Sequence, residues 1–185
     1  PDSGSVRHHD GNLIDSPRTA MNHLIAYISK DRDREALMTS ASIRDNICLP
    51  NLRQLEKYGL ILPRSEQKFV EKWVKTLSIK MNNMDQFVMY LSGGNKQKVS
   101  VSKWLGFGAD IFIFDCPTRG IDIGVKQAIY QLLIDLKKRG KAILMISEEL
   151  PELIGMSDRV LIMMDGRISG EFSRDEMLTE NKLIQ

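Results

Sequence analysis

Apolar residues in this chain fall into runs of different period, and each kind of run predicts an element. Over Ser65–Met81 they recur at helical spacing, with Phe69, Trp73 and Leu77 sharing a face with Val70 and Val74. That predicts an amphipathic helix whose aromatic stripe packs into a core rather than onto a ligand. Leu24–Ser29, Ile111–Asp115, Ala142–Ser147 and Arg159–Met164 are short apolar runs, and helical patterns over Gln97–Gly106, Gly124–Lys138 and Pro151–Met156 alternate with them. Such alternation predicts an α/β unit with a parallel sheet, with Arg159–Met164 among its strands. Two weaker, alternating stretches carry turn pairs: Ser5–Asn12 ends in Asp10-Gly11, and Asp165-Gly166 leads into Arg167–Phe172. Both predict small antiparallel β elements. Asp31–Glu35 is a charged loop, Ser42 with Asp45 caps a helix over Ala41–Leu49, and Ser173 with Glu176 forms a capping box that opens a last helix. With no repeat, low-complexity tract or linker, the pattern describes one α/β unit carrying a helical insertion.

The stretch Leu91-Ser92-Gly93-Gly94-Asn95 sits where the helical pattern beginning at Gln97 needs a start. Ser92 is a good cap, and the glycines let backbone approach a bound group closely. A helix N-terminus with free N–H groups favours anions. Downstream, Asp110-Ile111-Phe112-Ile113-Phe114-Asp115 reads as a buried strand with a carboxylate at its C-terminal end, where ligands and metals bind in open α/β sheets. Pro117-Thr118-Arg119-Gly120-Ile121-Asp122 then turns the chain. A Ser-Gly-Gly alone is usually only a turn. Together the three segments resemble the signature, Walker B and D-loop of an ABC-type ATPase, and the Asn95 form of the signature with Pro-Thr-Arg-Gly-Ile-Asp-Ile-Gly-Val-Lys is similar to the second ATPase half of tandem bacterial importers for ribose, galactose, arabinose and xylose. The likeness runs from about Gly4 to Phe172.

Composition leaves that picture standing. The chain has 185 residues, 42% hydrophobic and 27% charged, which suits one globular domain. A net charge of +2 is too small to argue for nucleic acid or an acidic membrane. Its densest basic run, Lys137-Lys138-Arg139, ends a helix before Gly140, where cations offset the dipole. Cys48 and Cys116 are far apart and not in metal spacing, as in a reducing compartment. No window is apolar enough to span a membrane, so membrane association is expected through a partner.

Phosphoryl transfer from ATP needs a phosphate cradle, a metal and a positioned water. The cradle motif G-x-x-x-x-G-K-[ST] is not in these residues; the one Gly-Lys pair, Gly140-Lys141, lies between a helix and a strand with Ala142 next. In the family the cradle lies upstream of the part resembling Gly4–Ile14, so the chain is expected to be a fragment that starts after it and lacks an interior strand and helix of the sheet. The resemblance makes Asp115 the Mg²⁺ residue, acting through water, against the plainer reading of a turn cap. It puts Cys116 where a glutamate usually polarises the attacking water, and a thiol near its ordinary pKa of about 8.5 is a poor base. A nucleophilic cysteine would need a paired histidine, and His8, His9 and His23 are distant in sequence. The same resemblance puts Glu148 at the switch position and Lys30 in the Q-loop region, where Lys30 reads as a solvated charge. Gly120, Ile121 and Asp122 resemble the D-loop, which would sit at a dimer interface, with Asp122 also able to cap the next helix.

By resemblance, then, the fold is an ABC-type nucleotide-binding domain of P-loop NTPase-like parallel sheet, helical subdomain and small antiparallel β element, without the Walker A segment. Residues 1–185 make a partial ABC ATPase domain: a helical subdomain over 40–106 with the signature, a Walker B, D-loop and switch core over 107–172, and a C-terminal helix over 173–185. The implied function is ATP-driven energy coupling in a carbohydrate importer, peripheral on the cytoplasmic face of the bacterial inner membrane. Its cofactors are ATP and Mg²⁺, and its partners are an opposing ATPase half, transmembrane permease subunits and, indirectly, a sugar-binding protein; nucleic acid is not among them. The residues Leu91 to Asn95 would cap the γ-phosphate of ATP held by the opposing half, while this half's own site is degenerate and the chain alone inactive and prone to self-association. A non-transport ABC protein and a non-catalytic module of the same fold are the competing readings; a nucleic-acid-binding protein would carry a continuous basic stripe, which the sequence lacks.

Overall fold

The structure is a computed structural model that describes residues 4–174. Its centre is a parallel three-stranded sheet in the order β1 (Ile25–Ile28), β4 (Ile111–Asp115), β5 (Ala142–Ile146). Ile25 pairs with Ile111, and Ile111 with Ala142, so the three strands start level and end level. Phe112 and Phe114 alternate onto one face, fully buried and stacked at 6.0 Å. Against them pack Ala26 and Ile28 of β1, Val101 of helix α5 (Gly93–Phe107), and Ile129, Leu133 and Leu136 of helix α6 (Ile123–Lys138). Replacing either phenylalanine by alanine would cost about 3–5 kcal/mol.

A second cluster is helical. Helix α1 (Pro17–Asn22) precedes β1; α2 (Ile43–Cys48), α3 (Leu52–Leu55) and α4 (Pro63–Thr76) follow it, with a hairpin of β2 (Glu56–Lys57) and β3 (Leu60–Ile61) between the last two. Ile43, Ile47, Val70, Val88 and Val99 are its fully buried members, with Phe69, Trp73, Val74 and Leu77 packed against them. The aromatic stripe is therefore core, as its spacing predicts. Ser42 and Asp45 form the expected capping box at α2. Helix α5 runs through both clusters, since Val99 belongs to one and Val101 to the other.

Several details differ from the sequence reading. Arg159–Met164 forms β6, which pairs only with β7 (Arg167–Ser173), antiparallel, among the described residues. It is therefore not a strand of the parallel sheet; helix α7 (Leu150–Met156) leads away into a hairpin. The charged segment after Asp31 is a π-helical turn, Arg32–Ala36, not an irregular loop. Helices α4, α5 and α6 begin earlier than their apolar periodicity, at Pro63, Gly93 and Ile123: the Ser92 and Asp122 caps set the starts of α5 and α6, and Pro63 takes the first position of α4, which has no side-chain cap. The N-terminal hairpin is minimal, with one bridge between Arg7 and Leu13. The helix expected from Ser173 onward lies outside the described residues, and Ser173 itself closes β7.

Candidate functional site

Level strand ends deliver the predicted residues to one rim. Ile28 sits opposite Phe114, and Asp115 opposite Ile146, so Asp115 closes β4 and Lys30, Cys116 and Glu148 follow the C-terminal ends of neighbouring strands. Tyr27 on β1 donates its hydroxyl hydrogen to Asp115 Oδ2 at 2.9 Å, and burial, then that bond, raises the Tyr27 pKa. Asp115 is only half-buried, so its carboxylate stays open to solvent on the rim.

Cys116 adopts φ +45°, the left-handed region that a non-glycine residue rarely enters, and its N–H donates to Ile146 O at 2.9 Å. Its thiol is buried, and burial pushes its pKa up; the carboxylates of Asp115 and Glu148 add to this, against a small opposing effect of Lys30. The thiol is neutral at pH 7 and has no capacity as a base there. The histidine needed for a nucleophilic cysteine is not at this rim. His8 and His23 lie with Ile111 and Ala142, at the opposite ends of β4 and β5.

The glycine-rich turn makes a second surface. Leu91 is buried, and Ser92 caps α5 with its Oγ 3.4 Å from the Asn95 N–H and 3.0 Å from Asn95 Nδ2. Asn95 Oδ1 accepts the Lys80 N–H at 2.9 Å, tying the helix start to the segment after α4. Ser92 and Gly93 are exposed while Gly94 is buried. A Cβ on Gly93 would lie 3.6 Å from Gly120 O and 3.7 Å from Arg32 Nη2, whereas one on Gly94 would lie 2.8 Å from Val125 Cγ2 and 3.6 Å from Asp122 Oδ2. The signature-like turn and the D-loop-like turn are thus in contact. Asp122 Oδ1 accepts the Val125 N–H at 3.0 Å as the cap of α6, and Ile121 packs on the sheet core.

Arg32 joins these turns and was not singled out by sequence. From the π-helical turn its Nη1 donates to Arg119 O at 3.0 Å and to Gln97 Oε1 at 3.4 Å. Lys96 Nζ pairs with Asp33 at 2.8 Å from the same turn. Glu152 is a second unpredicted hub. Buried on α7, it accepts hydroxyl hydrogens from Thr118, from Tyr130 at 2.5 Å and from Ser147 at 2.6 Å, with Lys126 Nζ at 4.0 Å. Burial alone would raise its pKa, but the hydroxyl donors and Lys126 win and hold it below the usual value. It joins the segment after β4 to the one after β5. Neither hub has a local signature, because their partners are brought together only by the sheet.

Comparison with known proteins agrees with this geometry. The chain is 46% identical over 167 residues to the ribose import ATP-binding protein RbsA of Bacillus licheniformis, covering 90% of this chain and 34% of that protein. It is 47% identical over 163 residues to the xylose import ATP-binding protein XylG of Thermoanaerobacter pseudethanolicus, covering 88% of this chain and 32% of that protein. The chain therefore spans about a third of the length of the curated relatives it matches. Its fold superimposes on a dimeric ATP-binding cassette in a post-hydrolysis state bound to ADP and Pi, with a TM-score of 0.79 at 19% identity over 94% of this chain and 75% of that one. A nucleotide-free cassette from an ABC transporter matches with a TM-score of 0.77 at 19% identity over 100% of this chain and 76% of that one. Residues 1–119 match the family model described as ABC transporter, and the chain, with the cassette fold and both turns in place, belongs to that family.

Proposed function

We propose that this chain is part of the ATP-hydrolysing, energy-coupling subunit of a monosaccharide importer, where it completes an ATP site whose phosphate cradle is supplied by an opposing ATPase half. The observation that carries the reading is the exposed surface formed by Ser92 and Gly93 against Gly120, at the N-terminus of a 15-residue helix. The hydroxyl of Ser92 and the free N–H groups of the first turn would face the γ-phosphate, where the helix dipole favours negative charge. Leu91 anchors the turn, Gly94 sets its distance from α6, and Asn95 fixes its orientation. Gly120, Ile121 and Asp122 would border the same interface, and Arg32 keeps them in register with the signature. The ribose and xylose import relatives support the solute class.

On this chain's own rim, Asp115 would hold Mg²⁺ through water. Mg²⁺ commonly takes one or two protein carboxylates beside phosphate oxygens and waters, which fits a single open carboxylate with one hydroxyl partner. Beyond that the rim is poorly equipped. Cys116 cannot take a proton from water at pH 7, and Glu148, on the same rim, places negative charge where a triphosphate would lie. Lys30 is exposed and offers a cation that could only partly offset Glu148. Hydrolysis is therefore assigned to the site that this signature completes, and this chain by itself to weak nucleotide binding. No helix among the described residues is long and apolar enough to cross a membrane, so the subunit would sit on the cytoplasmic face through permease contacts, with a sugar-binding protein acting from the other side.

The test is photo-crosslinking from the γ-phosphate of an ATP analogue in the ATPase that carries this chain. The expected result is labelling within residues 91–95 that disappears when the cradle lysine of the opposite half is replaced. Labelling that is indifferent to the opposite half would overturn the composite-site reading.

A further inference from the structure

At the end of the sheet away from that rim, residues from two elements converge. His8 and Asp10 belong to the N-terminal hairpin, and His23 follows α1. His8 Nδ1 lies 3.0 Å from Asp10 Oδ2, and His23 Nε2 lies 3.6 Å from the same oxygen. One ligand atom from each residue falls within 4.8 Å of the others. We propose that His8, Asp10 and His23 form a binding site for a divalent first-row transition metal, Zn²⁺ being the best match.

The spacing is the first support. Zn²⁺ bound tetrahedrally at about 2.1 Å would set its ligand atoms roughly 3.4 Å apart, which needs only side-chain adjustment here. The second is the way each ligand is already oriented. His23 Nδ1 is 2.8 Å from Thr19 O, so it carries the hydrogen and leaves the Nε2 lone pair free, 3.6 Å from Asp10 Oδ2. A metal-bound histidine is usually held by just such a bond from its other nitrogen. Asp10 Oδ1 accepts the Asn12 N–H at 2.9 Å, which turns Oδ2 alone toward the histidines. His8 Nδ1 is shielded from solvent and makes no well-angled hydrogen bond despite its closeness to Asp10.

The electrostatics are the third. Two imidazole nitrogens and a carboxylate oxygen converge within 4.8 Å of one another, a donor set that a bound cation would complete. Asp110, which borders the same depression, is already engaged by Lys141 at 2.6 Å, and no lysine or arginine is among the described residues lining it. Imidazole with one carboxylate suits Zn²⁺, Cu²⁺ or Ni²⁺ and disfavours Ca²⁺ and Mg²⁺, which prefer all-oxygen sites. Three protein ligands leave a fourth position for water, in the depression bordered by Asp110 and Gly140. The metal would clasp the hairpin to α1, an otherwise lightly held corner with a single β-bridge.

The experiment is equilibrium dialysis of the chelator-treated chain against Zn²⁺, with Co²⁺ absorption to read coordination geometry. The expected result is one tight site with tetrahedral Co²⁺ bands and a thermal midpoint raised by Zn²⁺. His23→Ala and Asp10→Asn should each weaken binding by at least about 10-fold, and His9→Ala should leave it intact, since His9 is exposed and outside the convergent set. Asp10→Asn keeps the side-chain acceptor for Asn12, so it reports on the metal even if His23→Ala perturbs folding. Full-strength binding in Asp10→Asn, or loss of binding only in His9→Ala, would overturn the proposal.

Discussion

Gly94 is in packing contact with Val125: a methyl group on its backbone would sit 2.8 Å from Val125 Cγ2. The same glycine-rich turn therefore contains two glycines with different duties. Gly94 lets α5 approach α6, whereas Gly93 is exposed and has no atom nearer than 3.6 Å to an added Cβ. Gly94→Ala should destabilise the chain by about 1–3 kcal/mol through overpacking. Gly93→Ala, in a helical first turn, should leave stability within about 0.5 kcal/mol or raise it. Urea denaturation of the two variants against the parent chain measures the difference.

Glu152 supplies a pH signature. Its pKa is lowered in the folded chain, so its contribution is present above the unfolded value near 4.5 and is lost as pH falls through the folded one. The parent should lose stability on acidification below about pH 4.5. Glu152→Gln should cost about 1–3 kcal/mol at pH 7, where a charged acceptor of three hydroxyl hydrogens is lost, and less at pH 3.5. Denaturation midpoints of both proteins across that range give the answer.

The thiol chemistry is equally definite. Burial pushes Cys48 up to about 12, and Cys116 is also raised, so neither should react readily with iodoacetamide at pH 7.5 in the folded chain. Full alkylation of both should require denaturant, with intact mass as the readout.

Strand β5 is an edge of the sheet among the described residues, and it exposes Leu144 at 53% and Ile146 at 46%. An exposed apolar edge invites pairing with another chain. The chain should self-associate in a concentration-dependent way, and Leu144→Lys should shift sedimentation toward monomer.

Much of this was legible in advance because it depends on local pattern. The aromatic face of α4, the Ser42, Ser92 and Asp122 caps and the run Ile111–Asp115 each carry their own period or cap residue. The hairpin fate of Arg159–Met164 was not legible, because an apolar run of that length looks the same in a parallel or an antiparallel pair. The β2–β3 hairpin was missed because Tyr58, not a usual turn residue, takes positive φ beside Gly59. Arg32 and Glu152 were missed for a different reason: their partners lie 87 and 34 residues away, at Arg119 and Thr118.

The composite-site account is tested most directly by ATP hydrolysis of the assembled transporter ATPase in membranes, comparing Gly93→Asp with Cys116→Ala. An acidic residue in the first turn of a helix is favourable for the helix itself, so Gly93→Asp should fold normally. It would put negative charge where a γ-phosphate must approach, and hydrolysis should fall by at least about 100-fold, the scale at which loss of one well-placed anion donor acts. Cys116→Ala should retain activity within about 2-fold, since a neutral buried thiol supplies no base. Unchanged hydrolysis in Gly93→Asp, or equal loss in both variants, would contradict the account.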